Sequence, residues 1–299
     1  MSLIQRVRGT RPTRPSPYEL YDEVAEAAAD VVIRRYSTSF GLASKLLTGP
    51  VRTHVRNVYA LVRVADEIVD APRPDGDAAG QAALLGELRA ETLRAMTTGH
   101  SANLVVHAFA RTARTCQITP DLVEPFFDSM AMDLDRTEHD AESFAAYVHG
   151  SAEVVGLMCL RAFLLETPDP DAEYQRLGEG ALRLGAAFQK VNFLRDLAAD
   201  FDELGRSYFP GLDVERFDVA TRDRLLDDID ADLAVAAAAI PHLPASSRRA
   251  VRAAHALFAE LSARLRRTAP EEIRRVRVRV PSPRKAQLVA LAFAAKGAV

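Results

Sequence analysis

The chain has 299 residues, of which 48% are hydrophobic, so it is long enough and apolar enough to bury a sizeable core. Abundant alanine, no tryptophan, and only 15 glycines and 16 prolines favour long helices over a protein built of strands and turns. A formal net charge of −3 gives no overall attraction to nucleic acid or to an anionic membrane, and we expect no nucleic-acid partner.

The chain begins with a basic, proline-interrupted segment that contains Arg6, Arg8, Arg11 and Arg14. This segment lacks the apolar stretch of a signal peptide, so we interpret residues 1–16 as a flexible arm. No internal repeat or long linker follows, which predicts a single folded domain over residues 17–299.

Beyond the arm, apolar residues recur at helical spacing through nearly all of the chain. The predicted helices cover residues 18–36, 52–70, 79–97, 102–116, 121–135, 143–165, 172–204, 221–239, 246–267 and 284–296. Proline-containing turns at residues 71–74 and 167–170 separate neighbouring helices. Residues 275–280 alternate valine and arginine, and we predict an extended loop or a single edge segment there.

Two cysteines, Cys116 and Cys159, give no sign of a disulfide framework. No uncharged apolar run reaches the ~18 residues of a membrane span. We therefore expect a cytoplasmic protein, free or in peripheral contact with the inner face of the membrane, that is a monomer or a weak homodimer.

An Asp-x-x-x-Asp pair lies on the helix predicted for residues 52–70. At about 100° per residue, Tyr59, Arg63, Asp66 and Asp70 fall on one stripe of this helix. Like charges four residues apart destabilise an isolated helix, and the flanking residues are apolar. This stripe is therefore unlike an ordinary solvated helix face.

A second pair, Asp196 and Asp200, lies on the helix predicted for residues 172–204. Gln189 and Asn192 fall on the same stripe of a helix that is otherwise rich in Phe, Val and Leu. A single pair of this kind is most often a solvated surface. Two pairs, each aligned with further polar side chains, argue against that interpretation.

Four facing carboxylates supply the hard oxygen ligands that suit Mg²⁺, which completes its shell with water and substrate phosphate oxygens. Metals of this kind stabilise a diphosphate as a leaving group. The sequence has no Cys/His cluster with zinc spacing and no glycine-rich phosphate loop before a helix. We therefore predict a Mg²⁺ site, with Mn²⁺ as a possible substitute, whose ligands are Asp66, Asp70, Asn192, Asp196 and Asp200.

At these residues the chain resembles the squalene/phytoene synthase family. Residues 59–70 resemble the family's first aspartate-rich motif, and residues 189–210, which end in Gly-Arg-Ser-Tyr-Phe-Pro, resemble the second. Residues 36–40 resemble its Ser-x-Ser-Phe element, and residues 132–156 resemble its central helices. The first motif reads Asp-Glu-Ile-Val-Asp, which is closer to phytoene synthases than to the squalene branch.

This resemblance implies an all-α, single-domain isoprenoid-synthase bundle around a central cavity. It also implies head-to-head (1′-1) condensation of two prenyl diphosphates through a cyclopropylcarbinyl diphosphate. With two molecules of geranylgeranyl diphosphate the product is phytoene, a step of carotenoid biosynthesis. That reaction ends in the loss of a proton, so no NADPH is expected.

The resemblance further implies which side chains meet the substrate. Arg63 and Arg206 would contact diphosphate, and Tyr208 would donate a hydrogen bond to a phosphate oxygen. The implied substrate-binding set is Ser37, Ser39, Phe40, Tyr59, Arg63, Tyr147, Gln189, Asn192, Arg206 and Tyr208, and the implied catalytic set is Asp66, Asp70, Asp196, Asp200, Arg63 and Tyr208.

Several of these side chains also have a purely structural alternative. Arg63 could pair within its own helix, and Arg206 could cap the end of the preceding helix. Ser37 and Ser39 could cap the helix that starts near Phe40, and Tyr147 could be ordinary core.

Other functions on the same scaffold stay open at this point. One is a dehydrosqualene, squalene or presqualene diphosphate synthase that uses farnesyl diphosphate, and another is a terpene cyclase with a single substrate. A third is a non-catalytic assembly factor, which predicts eroded aspartates. The depth of the cavity decides the chain length, and Gly156, Ala162 and Ala186 are small residues that could set it.

Overall fold

The computed structural model describes residues 15–37, 39–70 and 77–294. Nearly all of the predicted arm over residues 1–16 lies outside the described residues, as does the whole of the predicted turn at residues 71–74. The helices are α1 (Pro17–Tyr36), α2 (Ser39–Ser44), α3 (Gly49–Asp70), α4 (Ala78–Thr98), α5 (Leu104–Cys116), α6 (Pro120–Asp135), α7 (Ala141–Val148), α8 (Val154–Phe163), α9 (Pro170–Leu204), α10 (Val219–Ala239), α11 (Ala245–Arg267), α12 (Pro270–Ile273) and α13 (Ser282–Ala294). Within these described ranges the β-type pairing is one isolated bridge, between Glu138 and Ser207.

Local sequence signals account for the ends of the longest helices. Ser16 and Glu19 form a capping box at the start of α1, where each side chain accepts a hydrogen bond from the other residue's backbone N–H. Asp169 caps α9, and Gly205 ends it in the left-handed conformation (φ 64°) that glycine adopts without strain. The predicted boundaries of these helices therefore agree closely with the observed ones.

The single helix predicted over residues 143–165 is wrong in one respect. Five residues of π-helix, His149–Glu153, separate α7 from α8. Gly150 packs directly on α6 here, since a Cβ at this position would lie 2.0 Å from Ser129 Oγ and 2.1 Å from the carbonyl oxygen of Pro125. The wider turn brings the backbone against α6, which hydrophobic periodicity alone does not reveal.

Two hydrophobic cores hold the bundle together. The larger lies among α3, α4, α5, α6 and α8 and includes the fully buried Phe109, Phe126 and Phe127. The second joins α9, α10 and α11 and includes Leu194 and Ile229. The 35 residues of α9 make it about 52 Å long, and it packs against α8, α10 and α11. It is therefore the element along which the two cores meet.

The stretch Ala141–Phe163 is long and apolar enough to cross a membrane by length and composition. It packs against α3, α6 and α9, and Val154, Met158 and Leu160 within it are almost completely buried. Its apolar composition fits this central position in the bundle.

Residues 275 and 276 of the alternating segment form a turn after α12, whereas residues 277–280 belong to no helix or strand. Val280 is buried, whereas Val276 is 49% exposed. This segment carries Arg277 to the end of the cavity described below.

Candidate functional site

A cavity of about 510 Å³ opens between α3, α8, α9, α10 and α11. Most of its wall is apolar, but polar side chains gather at one end. Those side chains are Ser37, Tyr59, Arg63, Asn192, Arg195 and Arg277. Asp66 and Asp196 lie one helical turn beyond Arg63 and Asn192, so both aspartate pairs flank the polar end of the cavity.

The first pair lies on the last turns of α3. Burial raises the pKa of Asp66 to about 7, and the nearby charge of Asp70 adds to the rise. Arg63 opposes it from 3.8 Å away, and the same guanidinium forms an ion pair with Glu67. Arg63 therefore pairs within its own helix and also lines the cavity.

The second pair lies on the last turns of α9. The pKa of Asp200 is raised to about 7, and burial is the largest cause. The charge of Asp196 and then that of Asp70 on α3 also contribute to the rise. Because Asp70 acts on Asp200 across the gap between two helices, the two pairs face each other. Arg195 Nε donates to Asp196 Oδ1 at 2.9 Å, and Arg277 Nε lies 2.6 Å from the same oxygen.

Arg206 links the second motif to the first. Its backbone N–H donates to the carbonyl oxygen of Asp200 and so helps to end α9. Its side chain crosses to α3, where Nη1 donates to Asp70 Oδ1 at 2.9 Å. Arg206 therefore caps α9 through its backbone and also contacts an aspartate of the site through its side chain.

Asp133 on α6 is a residue of the site that the sequence interpretation missed. Its carboxylate accepts hydrogen bonds from Tyr147 Oη at 2.7 Å and from Tyr208 Oη at 3.2 Å, and its carbonyl oxygen accepts one from Arg206 Nη2 at 2.9 Å. Burial raises the pKa of Asp133 to about 6, although Arg206 and both tyrosines oppose the rise. Asp133 lies between a methionine and a leucine, but α6 carries several other acids and the sequence pattern did not single this one out.

The remaining predicted residues are distributed around this centre. Tyr147 is buried in an aromatic cluster with Phe193 and Tyr208, so its side chain is both core and a donor to Asp133. Gln189 is half-buried and is absent from the described cavity wall. The side chains predicted at Ser39 and Phe40 lie outside the described residues.

Ser37 and Tyr59 lie at the polar end of the cavity and contact each other. Burial raises the pKa of Tyr59, and a hydrogen bond with Ser37 opposes the rise. Ser37 Oγ also accepts from the backbone N–H of Gly41 at 3.4 Å, near the start of α2. Ser37 therefore combines the predicted capping role with a position on the cavity wall.

Two of the three small residues proposed to set the cavity depth do not line it. Gly156 is on the wall, but Ala162 and Ala186 are fully buried between helices. Helical periodicity could not distinguish the two environments, because a small apolar residue fits either one.

The side chains around the two aspartate pairs suit a divalent cation that would be bound jointly by the protein and a ligand. In the ranges that the structure covers, no three Asp, Glu, His or Cys side chains form a metal-binding group by themselves. Mg²⁺ commonly takes only one or two carboxylates and leaves its other positions to phosphate and water. The facing aspartate pairs, with raised pKa values at Asp66 and Asp200, and the buried Asn192 Oδ1, which has no hydrogen-bond partner, suit such a cation.

Comparison with known proteins gives a consistent picture. The sequence profile of the squalene/phytoene synthase family matches residues 33–284. The chain is 30% identical over 289 residues to a phytoene synthase of Rhodobacter capsulatus, covering 89% of this chain and 81% of the relative. It is 30% identical over 232 residues to the 15-cis-phytoene synthase of Synechocystis sp., covering 73% of this chain and 66% of the relative.

Two further comparisons involve related synthases. The chain is 27% identical over 199 residues to the 4,4'-diapophytoene synthase of Staphylococcus haemolyticus, covering 66% of each chain. It therefore spans about two thirds of the length of this relative and of the Synechocystis one. A solved dehydrosqualene synthase shares the fold, with a TM-score of 0.76 at 22% identity over 93% of this chain and 98% of that one.

Proposed function

Because this chain belongs to the squalene/phytoene synthase family, we propose that it joins two molecules of geranylgeranyl diphosphate head to head to form phytoene. The observation that carries the proposal is the position of the two aspartate pairs. They face each other at the polar end of an apolar cavity. This arrangement supports a site for diphosphate next to a chamber for hydrocarbon chains.

Asp66, Asp70, Asp196 and Asp200, with Asn192, would hold Mg²⁺, for which Mn²⁺ could substitute. When bound, the metal neutralises the diphosphate leaving group. Arginine side chains at the same end would bind the diphosphate oxygens directly, since guanidinium forms strong, geometrically defined hydrogen bonds with phosphate. These arginines are Arg63, Arg195, Arg206 and Arg277.

In the first half of the reaction one allylic diphosphate ionises, and the alkene of the second substrate attacks its C1 cation. Loss of a proton then gives a cyclopropylcarbinyl diphosphate. In the second half this diphosphate leaves, the carbon skeleton rearranges and a second proton is lost. No electrons enter from outside, so we propose that NADPH is not needed.

The cavity wall protects the cations from water. Phe188 and Phe258 stack with their ring centroids 3.7 Å apart, and both line the cavity. The face of an aromatic ring stabilises a nearby cation, and an apolar wall excludes the water that would otherwise capture it.

The deciding experiment is a product assay with purified protein and geranylgeranyl diphosphate. We expect a C40 hydrocarbon and released diphosphate in the presence of Mg²⁺ and without NADPH, and neither product when EDTA is present. Asp66→Asn and Asp196→Asn should each lower turnover by roughly a thousandfold, because charge stabilisation of the leaving group is lost. Asp202→Asn, at an exposed position of α9, is the matched control.

Farnesyl diphosphate is the competing substrate, since one relative is a 4,4'-diapophytoene synthase. Exclusive formation of a C30 product would contradict the C40 proposal and leave the head-to-head reaction standing. Absence of diphosphate release from any prenyl diphosphate would contradict the enzymatic function itself.

A further inference from the structure

The cavity continues far beyond its polar end, along α9. Its wall includes Asn192 beside the aspartates and Leu177 at the far end. The fifteen residues from Leu177 to Asn192 span about 22 Å of helix. A prenyl chain therefore has room to lie along α9 with its C1 carbon near Asn192.

Three small residues on three different helices line the cavity partway along. They are Gly156 on α8, Ala236 on α10 and Ala254 on α11, and we call them the collar. Gly156 packs on α9 at Ala181, because a Cβ at position 156 would lie 2.5 Å from the carbonyl oxygen of Ala181.

Contacts between α9 and α10 place Ala236 at a similar depth. Lys190 Nζ lies 2.8 Å from Asp232 Oδ2, while a Cβ at Gly180 would lie 2.3 Å from the Cβ of Ala239. The two helices therefore run antiparallel, and Ala236 lies between these two contacts, near the middle of the cavity.

Contacts between α9 and α11 place Ala254 there as well. Phe258 stacks on Phe188, and Val251 packs in one cluster with Leu177 at the deep end. Ala254 lies between Val251 and Phe258 on α11, so it shares the depth of Gly156 and Ala236.

The collar lies at a depth in the cavity that distinguishes a C15 from a C20 prenyl chain. Measured along α9 from Asn192, Gly185 lies at about 10 Å and Ala181 at about 16 Å. At about 1.2 Å per bond of an extended chain, the twelve main-chain carbons of farnesyl span about 13 Å and the sixteen of geranylgeranyl about 18 Å. A C15 chain therefore ends within the collar, whereas a C20 chain passes it.

Beyond the collar most of the cavity wall is apolar. The wall of this deep chamber includes Leu160, Phe163, Ile240 and Leu243. The last isoprene unit of a C20 chain is the group that would fill this chamber and remove its surface from water.

We propose that the collar is the specificity-determining element of this enzyme, which admits C20 prenyl diphosphates because all three of its residues are small. The inference rests on the proposed function. A bulky side chain at Ala254, which lies toward the deep edge of the collar, would close the passage just beyond the end of a C15 chain and would exclude the longer substrate.

The test compares C15 and C20 turnover in Ala254→Leu and Ala254→Val, with product length read by mass spectrometry. We expect kcat/KM for geranylgeranyl diphosphate to fall at least about tenfold, since a hydrophobic pocket discriminates by steric exclusion, while the value for farnesyl diphosphate stays within about threefold. Ala238→Phe, an exposed position of α10, is the matched control and should change neither value.

Retained C15 turnover also shows that a variant is folded, and the smaller change Ala254→Val carries the comparison if Ala254→Leu melts well below wild type. The inference is overturned if C20 turnover is unchanged in the folded variants, or if C15 and C20 turnover fall equally. The proposed function still stands in either case, provided that the wild-type enzyme forms phytoene. A wild-type enzyme that couples C15 and rejects C20 overturns both.

Discussion

At Asp66 and Asp200, burial and a neighbouring carboxylate act in the same direction. Both effects disfavour the charged form, and each pKa rises to about 7. A carboxyl group whose pKa is higher in the folded than in the unfolded chain stabilises the fold at low pH. That contribution is lost as the pH rises through about 7, when the buried groups ionise.

The same shift predicts how the Mg²⁺ requirement depends on pH. Metal ligation needs the carboxylate form, so Mg²⁺ must displace protons from Asp66 and Asp200 below pH 7. We expect the Mg²⁺ concentration for half-maximal turnover to fall by about tenfold between pH 6 and pH 8. Titrations of Mg²⁺ at a fixed substrate concentration measure this half-maximal concentration at each pH. A value that stays constant between pH 6 and pH 8 would contradict the assignment of Asp66 and Asp200 as ligands.

Asp133 leads to a second prediction at the scale of a single residue. Asp133→Asn replaces one acceptor oxygen with a donor facing Tyr147 and Tyr208, which leaves a buried hydroxyl without its partner. We expect the free energy of unfolding to fall by about 1–3 kcal/mol. Turnover should fall as well, because the Asp133 carboxylate forms an ion pair with Arg206 at 3.8 Å and accepts a hydrogen bond from Tyr208.

Urea denaturation and steady-state kinetics measure the two effects of Asp133→Asn. Asp135→Asn is the control, since Asp135 is exposed on the same helix. Equal stability and turnover in the two variants would show that the network around Asp133 has no role in positioning Arg206 and Tyr208.

At the scale of the elements, the packing of α9 depends on its glycines, because other helices come close to its backbone there. A Cβ at Gly185 would lie 2.4 Å from the carbonyl oxygen of Ala152 and 3.1 Å from the Cα of Glu153. Gly185 therefore brings the π-helical turn against α9 and closes one side of the cavity. The space that a side chain at this position would need is taken by the backbone of the π-helical turn.

This contact predicts opposite effects for two glycine substitutions in one helix. Gly185→Ala forces a shift of backbone and should lower the free energy of unfolding by about 1–3 kcal/mol. Gly178→Ala meets only Leu157 Cδ2 at 3.8 Å and should raise it by about 0.5–1 kcal/mol, because alanine loses less entropy in a helix. Urea denaturation of both variants provides the comparison, and effects of the same sign would contradict this packing.

At the scale of the whole molecule, the outer side of α1 offers a surface for the expected peripheral contact with a membrane. Leu20, Val24 and Val31 are 52%, 44% and 49% exposed and recur at helical spacing on the outer side of α1. Such a face can lie in a lipid interface.

We therefore predict that the purified protein cosediments with liposomes. Leu20→Asp combined with Val31→Asp should weaken this association at least several-fold, because the charged side chains would have to enter the lipid interface. Leu84→Asp, at a position 52% exposed on α4, is the control. A wild-type protein that stays in the supernatant at every lipid concentration would contradict the membrane contact.

The sequence by itself determined the helical class and the two aspartate stripes. Helical periodicity and capping are local properties, so the alignment of Asp66 with Asp70, or of Asp196 with Asp200, follows from spacing along one helix. The motifs around these pairs also carried the resemblance to the family that the sequence profile confirms.

Only the tertiary structure decided how these stripes are completed. Arg206 bonds to Asp70 across 136 positions of sequence, and Asp133 joins Tyr147 and Tyr208 from a third helix. The depth of the cavity is equally non-local, because the collar takes one small residue from each of three helices. Periodicity shows which residues share a face of one helix, but the packing of helices against one another decides which faces meet.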